Sequence, residues 1–504
     1  MLSSHYHRDP EHEVDGGDVS KGTADVARSN FRPRATLFVI ALASCLMLGH
    51  ALRMPSQVVD NDVSRWCTVW SLLERGTYAI DDCPWRSQTN DKVRRAWGRA
   101  SKSELATADE LHFYSSKPPL LATMIAGVLY PARAWTGVPL DAVVKQRRVP
   151  RPTRKDAPDK PGGFEVVEET PSPIAWPVYV FYFKPIVILL NLVPYVVFLA
   201  LFARFAGKRV EDDFAWLASL VVAAFATLLT PFLTTLNNHT IAAFSAAFAL
   251  FALLKITVDG RRGPASFAVA GFFGAFCACN ELPAALFGVL LFVIMLTIDA
   301  RRTLLYFVPA AAIPCIAFLA TQYVAVGDVV PVYSEFGTKS YNYEGSYWNT
   351  PLELDAFDKT PEPRLTYLFH ITLGHHGFFA LTPILLLACP TLVQAARGRL
   401  RDLRLVAALA AALTLAMFAF YTFKTHNYGG STQGPRWLFW IIPFWLFLLP
   451  DGLAPVLRTR AGNVLVVVLL GFSLISVGYG LRNPWSNPWI LDMLEHLNLY
   501  NLPR

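Results

Sequence analysis

The chain has 504 residues, of which 53% are hydrophobic and only 16% charged, with a formal net charge of +7. Its apolar residues fall in long runs rather than in alternating or one-faced patterns, which argues against a large soluble core and for an integral membrane protein. The excess positive charge lies in short connections suited to lipid headgroups, so nucleic acid is not the expected partner.

Residues 1–34 are charged and carry Gly and Ser, the composition of a disordered tail. So long a polar stretch before the first apolar run makes that run a signal anchor rather than a cleaved signal. Leu42-Ala43-Ser44-Cys45 resembles a lipoprotein cleavage box, but the apolar stretch continues past it. Candidate spans cover residues 35–54, 119–137, 185–206, 214–233, 240–257, 265–299 as a hairpin pair, 303–326, 373–396, 404–423, 436–456 and 462–481. In lipid each must satisfy its own backbone, so the expected fold is an all-α bundle of about 11 to 13 spans.

Arg28, Arg32 and Arg34 precede the first span, and Arg204, Lys208 and Arg209, Arg261 and Arg262, Arg301 and Arg302, Arg397 to Arg404, and Arg458 and Arg460 fill short connections. By the positive-inside rule these are cytoplasmic, which puts the N-terminus inside and makes the span count odd. The basic, proline-rich insertion 138–176 strains that alternation. Either 174–206 is a short hairpin bending near Pro185 and Pro194, or the 119–137 helix enters without fully crossing.

Four of the seven cysteines, Cys277, Cys279, Cys315 and Cys389, lie in or beside spans, where a small buried hydrophobe is the ordinary role. Cys67 and Cys83 share the first outside loop, 55–118, and are a candidate disulfide in an oxidising compartment. No metal-ligand spacing appears, so no metal site is assigned and a divalent ion stays open as a cofactor.

The loop 55–118 opens with Val59-Asp60-Asn61-Asp62 and closes with Lys117-Pro118-Pro119-Leu120, pinning an acidic pair and a lysine at the membrane surface. Between them, Ser64 to Glu74 sets Trp66, Val69, Trp70, Leu72 and Leu73 at near-helical spacing up to Gly76, as expected of an amphipathic helix lying in the interface. The loop 327–372 is long and aromatic, with Tyr341, Tyr343, Tyr347 and Trp348, followed by His370, His375 and His376. Residues 424–435 run from Lys424 through His426, Asn427, Gly429, Gly430 and Gly434 into Arg436, and the glycines permit tight turns and close ligand approach. Shorter outside connections carry Asn237-Asn238-His239 and Asn280-Glu281.

Each feature has an ordinary explanation. Acidic residues after a first span are commonly solvated, Lys117 and Arg436 can snorkel to headgroups, the histidine pair can cap a helix, and Asn-Asn-His can be a turn. Their convergence on one side favours chemistry. A carboxylate serves as general base toward a hydroxyl, and cations at the membrane surface hold a lipid-linked phosphate. Because phosphate leaves as a stabilised anion, glycosyl transfer from a polyprenyl-phosphate sugar needs one base rather than the two carboxylates of glycoside hydrolysis, and should invert.

At Asp60/Asp62, Arg65-Trp66 to Gly76-Thr77-Tyr78, Lys117-Pro118-Pro119-Leu120 and Gly429-Gly430 to Arg436, the sequence resembles the multispan C-type glycosyltransferases, which include protein O-mannosyltransferases and aminoarabinose transferases. The resemblance implies a helical-bundle membrane domain over residues 35–481, a lipid-monophosphate sugar donor, and a catalytic Asp in the first outside loop. The acceptor is a lipid, glycan or protein, and the site faces outward from a plasma or inner membrane. Asn61 separates the two acidic residues, where the family's dyad is adjacent. By its distance to Arg65-Trp66, Asp62 is the better match for the base, with Asp60 beside it. Lys117 and Arg436 are the expected phosphate ligands, and Arg65, His239, His375, His376, Lys424 and Asn427 further site candidates. The tail 482–504, with its repeated Asn-Pro-Trp, reads as an interfacial cap. A transporter or lipid-carrier translocase is the rival reading; it would favour charges at mid-membrane, for which Lys184 and Glu281 are the candidates, and repeated halves, of which the sequence has none.

Overall fold

The computed structural model describes residues 17–55, 59–98, 106–142, 178–335, 339–346, 362–425 and 427–500. Among these, seven helices are long and apolar enough to cross a membrane: Phe31–Arg53, within α1 (Gly17–Arg53), α4 (Phe181–Arg209), α6 (His239–Thr257), α9 (Ala300–Val326), α12 (Arg404–Lys424, extended to Arg401), α13 (Arg436–Val456) and α14 (Arg460–Gly480). Shorter apolar helices are α5 (Asp213–Phe225), α7 (Pro264–Asn280), α8 (Leu282–Ile298) and α11 (Pro383–Ala396). The chain is an integral membrane protein. Helix α1 starts at Gly17, well before its apolar run, so helical backbone extends into the segment expected to be disordered. Most of the insertion 138–176 lies outside the described residues.

The 174–206 hairpin does not form, because residues 181–209 are one continuous helix. Wide π-type turns at Tyr179–Phe183 and Ile188–Leu192 come shortly before Pro185 and Pro194. Such a turn absorbs the missing donor and the ring clash, so the prolines are accommodated without reversing the chain. Helix α3 (Pro119–Thr136) is not among the seven, and its Arg133 is forked onto Glu74 by two 2.8 Å hydrogen bonds.

The spans differ in enclosure. The most apolar windows of α6 and α13 are 78% and 83% buried, against 22% for Phe31–Arg53, α9 and α14. The last three expose Leu37, Ile316 and Val467, as lipid-facing helices do, while α6 and α13 form the bundle axis. Phe198, Phe202 and Phe205 of α4 pack on Phe447 of α13 with ring centroids 5.0–6.5 Å apart. Gly271 lets α7 approach α9 closely, since a Cβ there would meet the Phe307 carbonyl at 2.2 Å.

One end of the bundle collects the basic connections. Arg32 pairs with Asp213 at 2.6 Å, Lys208 with Asp259 at 2.7 Å, and Arg209 with Asp451 at 2.8 Å and with Asp402. These are the basic connections that the charge pattern groups on one side. Arg209 is largely enclosed, so Arg209→Met leaves Asp451 buried without its cation. We expect a loss of about 3 kcal/mol, read as a lower unfolding midpoint in detergent; an unchanged midpoint would show the pair to be solvated.

Candidate functional site

The opposite end is reached by following α6, which spans about 28 Å from Thr257, two residues before Asp259, back to His239. Here the first connecting loop folds into α2 (Asp60–Glu74) and an antiparallel hairpin, β1 (Lys92–Arg95) with β2 (His112–Ser115). Helix α2 forms where its spacing predicts, but it is not an interfacial helix: Asn61 to Ser71 are all buried. Part of its polar face is hydrogen-bonded to protein instead of water. Ser64 donates to the Asp91 carbonyl at 2.5 Å and shares a 2.6 Å hydrogen bond with Ser115.

The hairpin register, Lys92 opposite Ser115, sets Asp91 beside Ser116, whose N–H donates to the Asp91 carbonyl at 3.0 Å. This places the Asp91 carboxylate 2.9 Å from Lys117 Nζ, in a pair with side chains 17% and 19% exposed. Pro118 at the helix N-cap and Pro119 in its first turn fix the chain leaving Lys117. Burial pushes the Lys117 ammonium below its usual range, Asp91 pulls it back up, and the neighbouring charges of Arg65 and Arg436 push it down again.

Arg65 is enclosed behind this pair. Its guanidinium donates to the Asn61 carbonyl at 3.0 Å, to the Asn61 side chain, and to Asn238 Oδ1 at 2.5 Å. Asn238 in turn donates to Glu281 at 2.6 Å and to the Asn280 carbonyl at 2.8 Å, and Glu281 also pairs with His239. Burial lowers the Arg65 pKa to about 10; Asp91, Glu281 and Asp62 raise it while Arg436 lowers it. Three cations and three carboxylates thus share one electrostatic neighbourhood where the loops meet the ends of α2, α3, α6, α7 and α13.

Arg436 enters from the glycine-rich loop. Asn427 Oδ1 accepts from the N–H groups of Gly429 at 2.5 Å and Gly430 at 2.7 Å. Gly429, with φ +106°, lies against the Arg436 side chain, which a Cβ there would approach to 3.3 Å. The guanidinium stacks over Trp485 at 4.7 Å. Trp485 is itself buried against Phe232, with centroids 5.1 Å apart, and Gln433 ties its neighbours Ser486 and Asn487 down. The first Asn-Pro-Trp of the tail is therefore part of the site wall, not a cap on the lipid interface.

The two aspartates of α2 part company. Asp62 is fully buried, and its Oδ1 accepts the N-cap Val59 N–H at 3.0 Å, the one side-chain half of a capping box that a helix beginning at valine can make. Asp60 is partly exposed and takes a 3.3 Å hydrogen bond from the Asn90 side chain. Burial and then the charge of Asp91 raise the Asp60 pKa, while Asn90 and Lys117 lower it. The acidic partner of Asp60 in space is thus Asp91, across Asn90.

Of the other sequence candidates, Arg65 and His239 join the cluster. Asn427 builds the glycine turn, and Lys424 is exposed at the last turn of α12. His375 and His376 sit in a separate buried group with His370 and Tyr428. Tyr341 and Tyr343 pack on the hairpin instead of standing free, with Phe113 and Tyr343 edge to face at 5.2 Å. His426, Tyr347 and Trp348 lie outside the described residues.

Sequence reading passed over Asp91 and Tyr333 and gave Asn238 and Trp485 no site role. Burial raises the Tyr333 pKa, and the charge of Glu281 raises it further, which sets that loop residue beside the cluster. Asn238 and Trp485 carried a signal, the Asn-Asn-His connection and the repeated Asn-Pro-Trp. A small crevice lined by Thr68, Tyr78, Tyr114, Ser115, Lys117 and Gln322 opens next to Lys117. Cys67 and Cys83 are brought together as buried free thiols. In an oxidising compartment they should join, so differential alkylation and mass spectrometry are expected to find the pair protected until reduction; alkylation before reduction would place the loop in a reducing compartment.

No protein-family model matches the sequence, and no curated protein matches it. Among solved structures the chain is similar to ArnT from Cupriavidus metallidurans in the apo state, at 13% identity and a TM-score of 0.45, covering 86% of this chain and 62% of that one. It is also similar to an oligosaccharyltransferase from Archaeoglobus fulgidus, at 12% identity and a TM-score of 0.42, covering 92% of this chain and 56% of that one. The chain spans less than two thirds of the length of either.

Proposed function

We propose that this protein is a membrane glycosyltransferase of the C type, moving a sugar from a polyprenyl-phosphate donor to an acceptor hydroxyl on the outer face of a plasma or inner membrane. The carrying observation is the gathering of Arg65, Lys117 and Arg436 around carboxylates at the end of the bundle opposite its basic connections. Cations at this depth suit a phosphate whose lipid tail runs down beside the spans, and they stabilise it as a leaving group. Lys117 and Arg436 are the phosphate ligands. Arg65, bound to Asn61 and Asn238, supports them from behind.

The sequence favours Asp62 as the base; the geometry favours Asp60. A base must reach the acceptor hydroxyl, and Asp60 is the carboxylate with an open side, close to Lys117 and Asp91. Asp62 holds the start of α2 and the charge of Arg65 in place.

A pH profile tests this assignment. The base works ionised, and burial together with Asp91 favours its protonated form, so transfer should fall with decreasing pH through a limb above the ordinary carboxylate range. Asp91→Asn removes one raising influence and should move that limb to lower pH. A limb that stays put in Asp91→Asn would exclude Asp60 as its source.

Transport draws no support from the charges that suggested it. Lys184 donates to the carbonyls of Ala51, at 2.8 Å, and Met54, and so caps α1. Glu281 is committed to Asn238 and His239 at the bundle end. The deciding experiment is transfer of radiolabelled sugar from a polyprenyl-phosphate donor by the purified full chain in lipid nanodiscs. Donor movement across the bilayer without transfer would replace this reading with a translocase.

A further inference from the structure

A second group of chemistry-bearing side chains lies apart from the cation cluster. Glu362 stands at the entry to α10 (Arg364–Thr372), His370 is on α10, and His375 is in the turn that follows. All three are buried, and one ligand atom from each lies within 4.8 Å of the other two. The His370 and His375 rings stack with centroids 3.9 Å apart. Their packing is tight: a Cβ on Gly374 would come within 2.3 Å of His370 Nδ1.

Two features separate this group from an ordinary aromatic core. First, His370 Nδ1 and His375 Nε2 are buried with no hydrogen-bond partner among the described residues. Buried ring nitrogens are normally paired, and an ion would supply the missing partner. Second, the carboxylate is oriented from outside. Tyr428 donates to Glu362 Oε2 and Tyr500 to Oε1, which leaves each oxygen further lone pairs for a cation. Hydroxyls that orient a carboxylate in this way are the usual outer support of a metal ligand.

We propose that Glu362, His370 and His375 bind a divalent transition-metal ion, with zinc the best match to two imidazoles and one carboxylate. Tetrahedral zinc at about 2.0–2.2 Å needs donors roughly 3.4 Å apart, so the ligand atoms must close from within 4.8 Å while the stacked His370 and His375 rings swing apart to turn their in-plane lone pairs to one ion. The role is structural. The site joins α10 to Tyr428, which belongs to the glycine-rich loop leading to Arg436, and to Tyr500 in the tail, so the ion would fasten α10 and the tail to that loop. It does not depend on the glycosyl-transfer reading, because metal content is measured without substrate.

The test uses the tag-free full chain in nanodiscs, stripped with chelator, desalted, exposed to zinc and desalted again. Elemental analysis should find one zinc per chain in the wild type, and cobalt in its place should give the visible bands of a tetrahedral nitrogen and oxygen site. Zinc should also raise the unfolding midpoint of the stripped wild type. His370→Asn and His375→Asn should lose the retained zinc and the midpoint shift, while Tyr428→Phe should keep the site with about 10–100-fold weaker affinity. A stripped wild type that retains no zinc and shows no midpoint shift overturns the proposal, whatever the variants do. Zinc retained equally by wild type and both histidine variants would overturn the assignment to these residues.

Discussion

Asp60→Asn should lower sugar transfer by about two to four orders of magnitude while leaving donor binding within a few-fold of the wild type. The amide keeps the size of the carboxylate and its ability to accept from the Asn90 side chain, 3.3 Å away, so the start of α2 should stay in place. What is lost is the proton acceptor on the open side. Asp62→Asn should behave differently. Its carboxylate accepts the Val59 N–H and sits fully buried beside Arg65, so its amide weakens a helix cap by about 1 kcal/mol and disturbs the field around the guanidinium. The expected signature is a lower unfolding midpoint with a moderate loss of rate. Initial rates and thermal unfolding on the same nanodisc preparations separate the two. An inactive, normally stable Asp62→Asn beside an active Asp60→Asn would return the base to Asp62, and full activity in both would remove it from this loop.

The difference between the two aspartates shows how far the sequence carries. Position along the chain singles out the first turn of α2, because apolar run, acidic pair and amphipathic stretch follow one another without interruption. It could not say which carboxylate faces outward, since that depends on whether Val59 offers its N–H to residue 62. The partner of Asp60 was out of reach for a similar reason. Asp91 becomes a neighbour only through the strand register of Lys92 with Ser115, and two four-residue strands in a long polar loop give no periodicity strong enough to read. Seven of the expected 11 to 13 spans were legible by run length among the described residues, and the basic end by its arginines. Depth of burial was not: α2 has the alternation of an interface helix, yet its polar face is enclosed by Asp91, Ser115 and Asn238. Trp485 belongs to the same class, an aromatic whose spacing suits a lipid interface but which is taken up by the Arg436 guanidinium.

Lys117→Met should weaken donor binding by roughly 10–100-fold, the range expected when one charge-assisted hydrogen bond to phosphate is lost. Methionine retains most of the apolar stem, so the change removes charge more than packing. Asp91 makes the result specific. Without donor, Lys117 is paired with Asp91 at 2.9 Å, and a phosphate must compete with that carboxylate for the ammonium. Asp91→Asn relieves the competition while keeping the side-chain volume. Donor affinity should therefore hold or rise in Asp91→Asn and fall in Lys117→Met and Arg436→Gln. If Lys117 and Asp91 were only a structural ion pair, both of their variants would lower the unfolding midpoint and neither would change donor affinity. If Lys117 were a lipid-facing cation, neither quantity would move. Measuring donor binding by tryptophan fluorescence and stability by thermal unfolding in the same nanodiscs distinguishes the three cases. The Arg436 variant adds a spatial check: its guanidinium lies over Trp485, so loss of donor quenching in Arg436→Gln with Trp485 intact would place the phosphate on the loop side of the cluster.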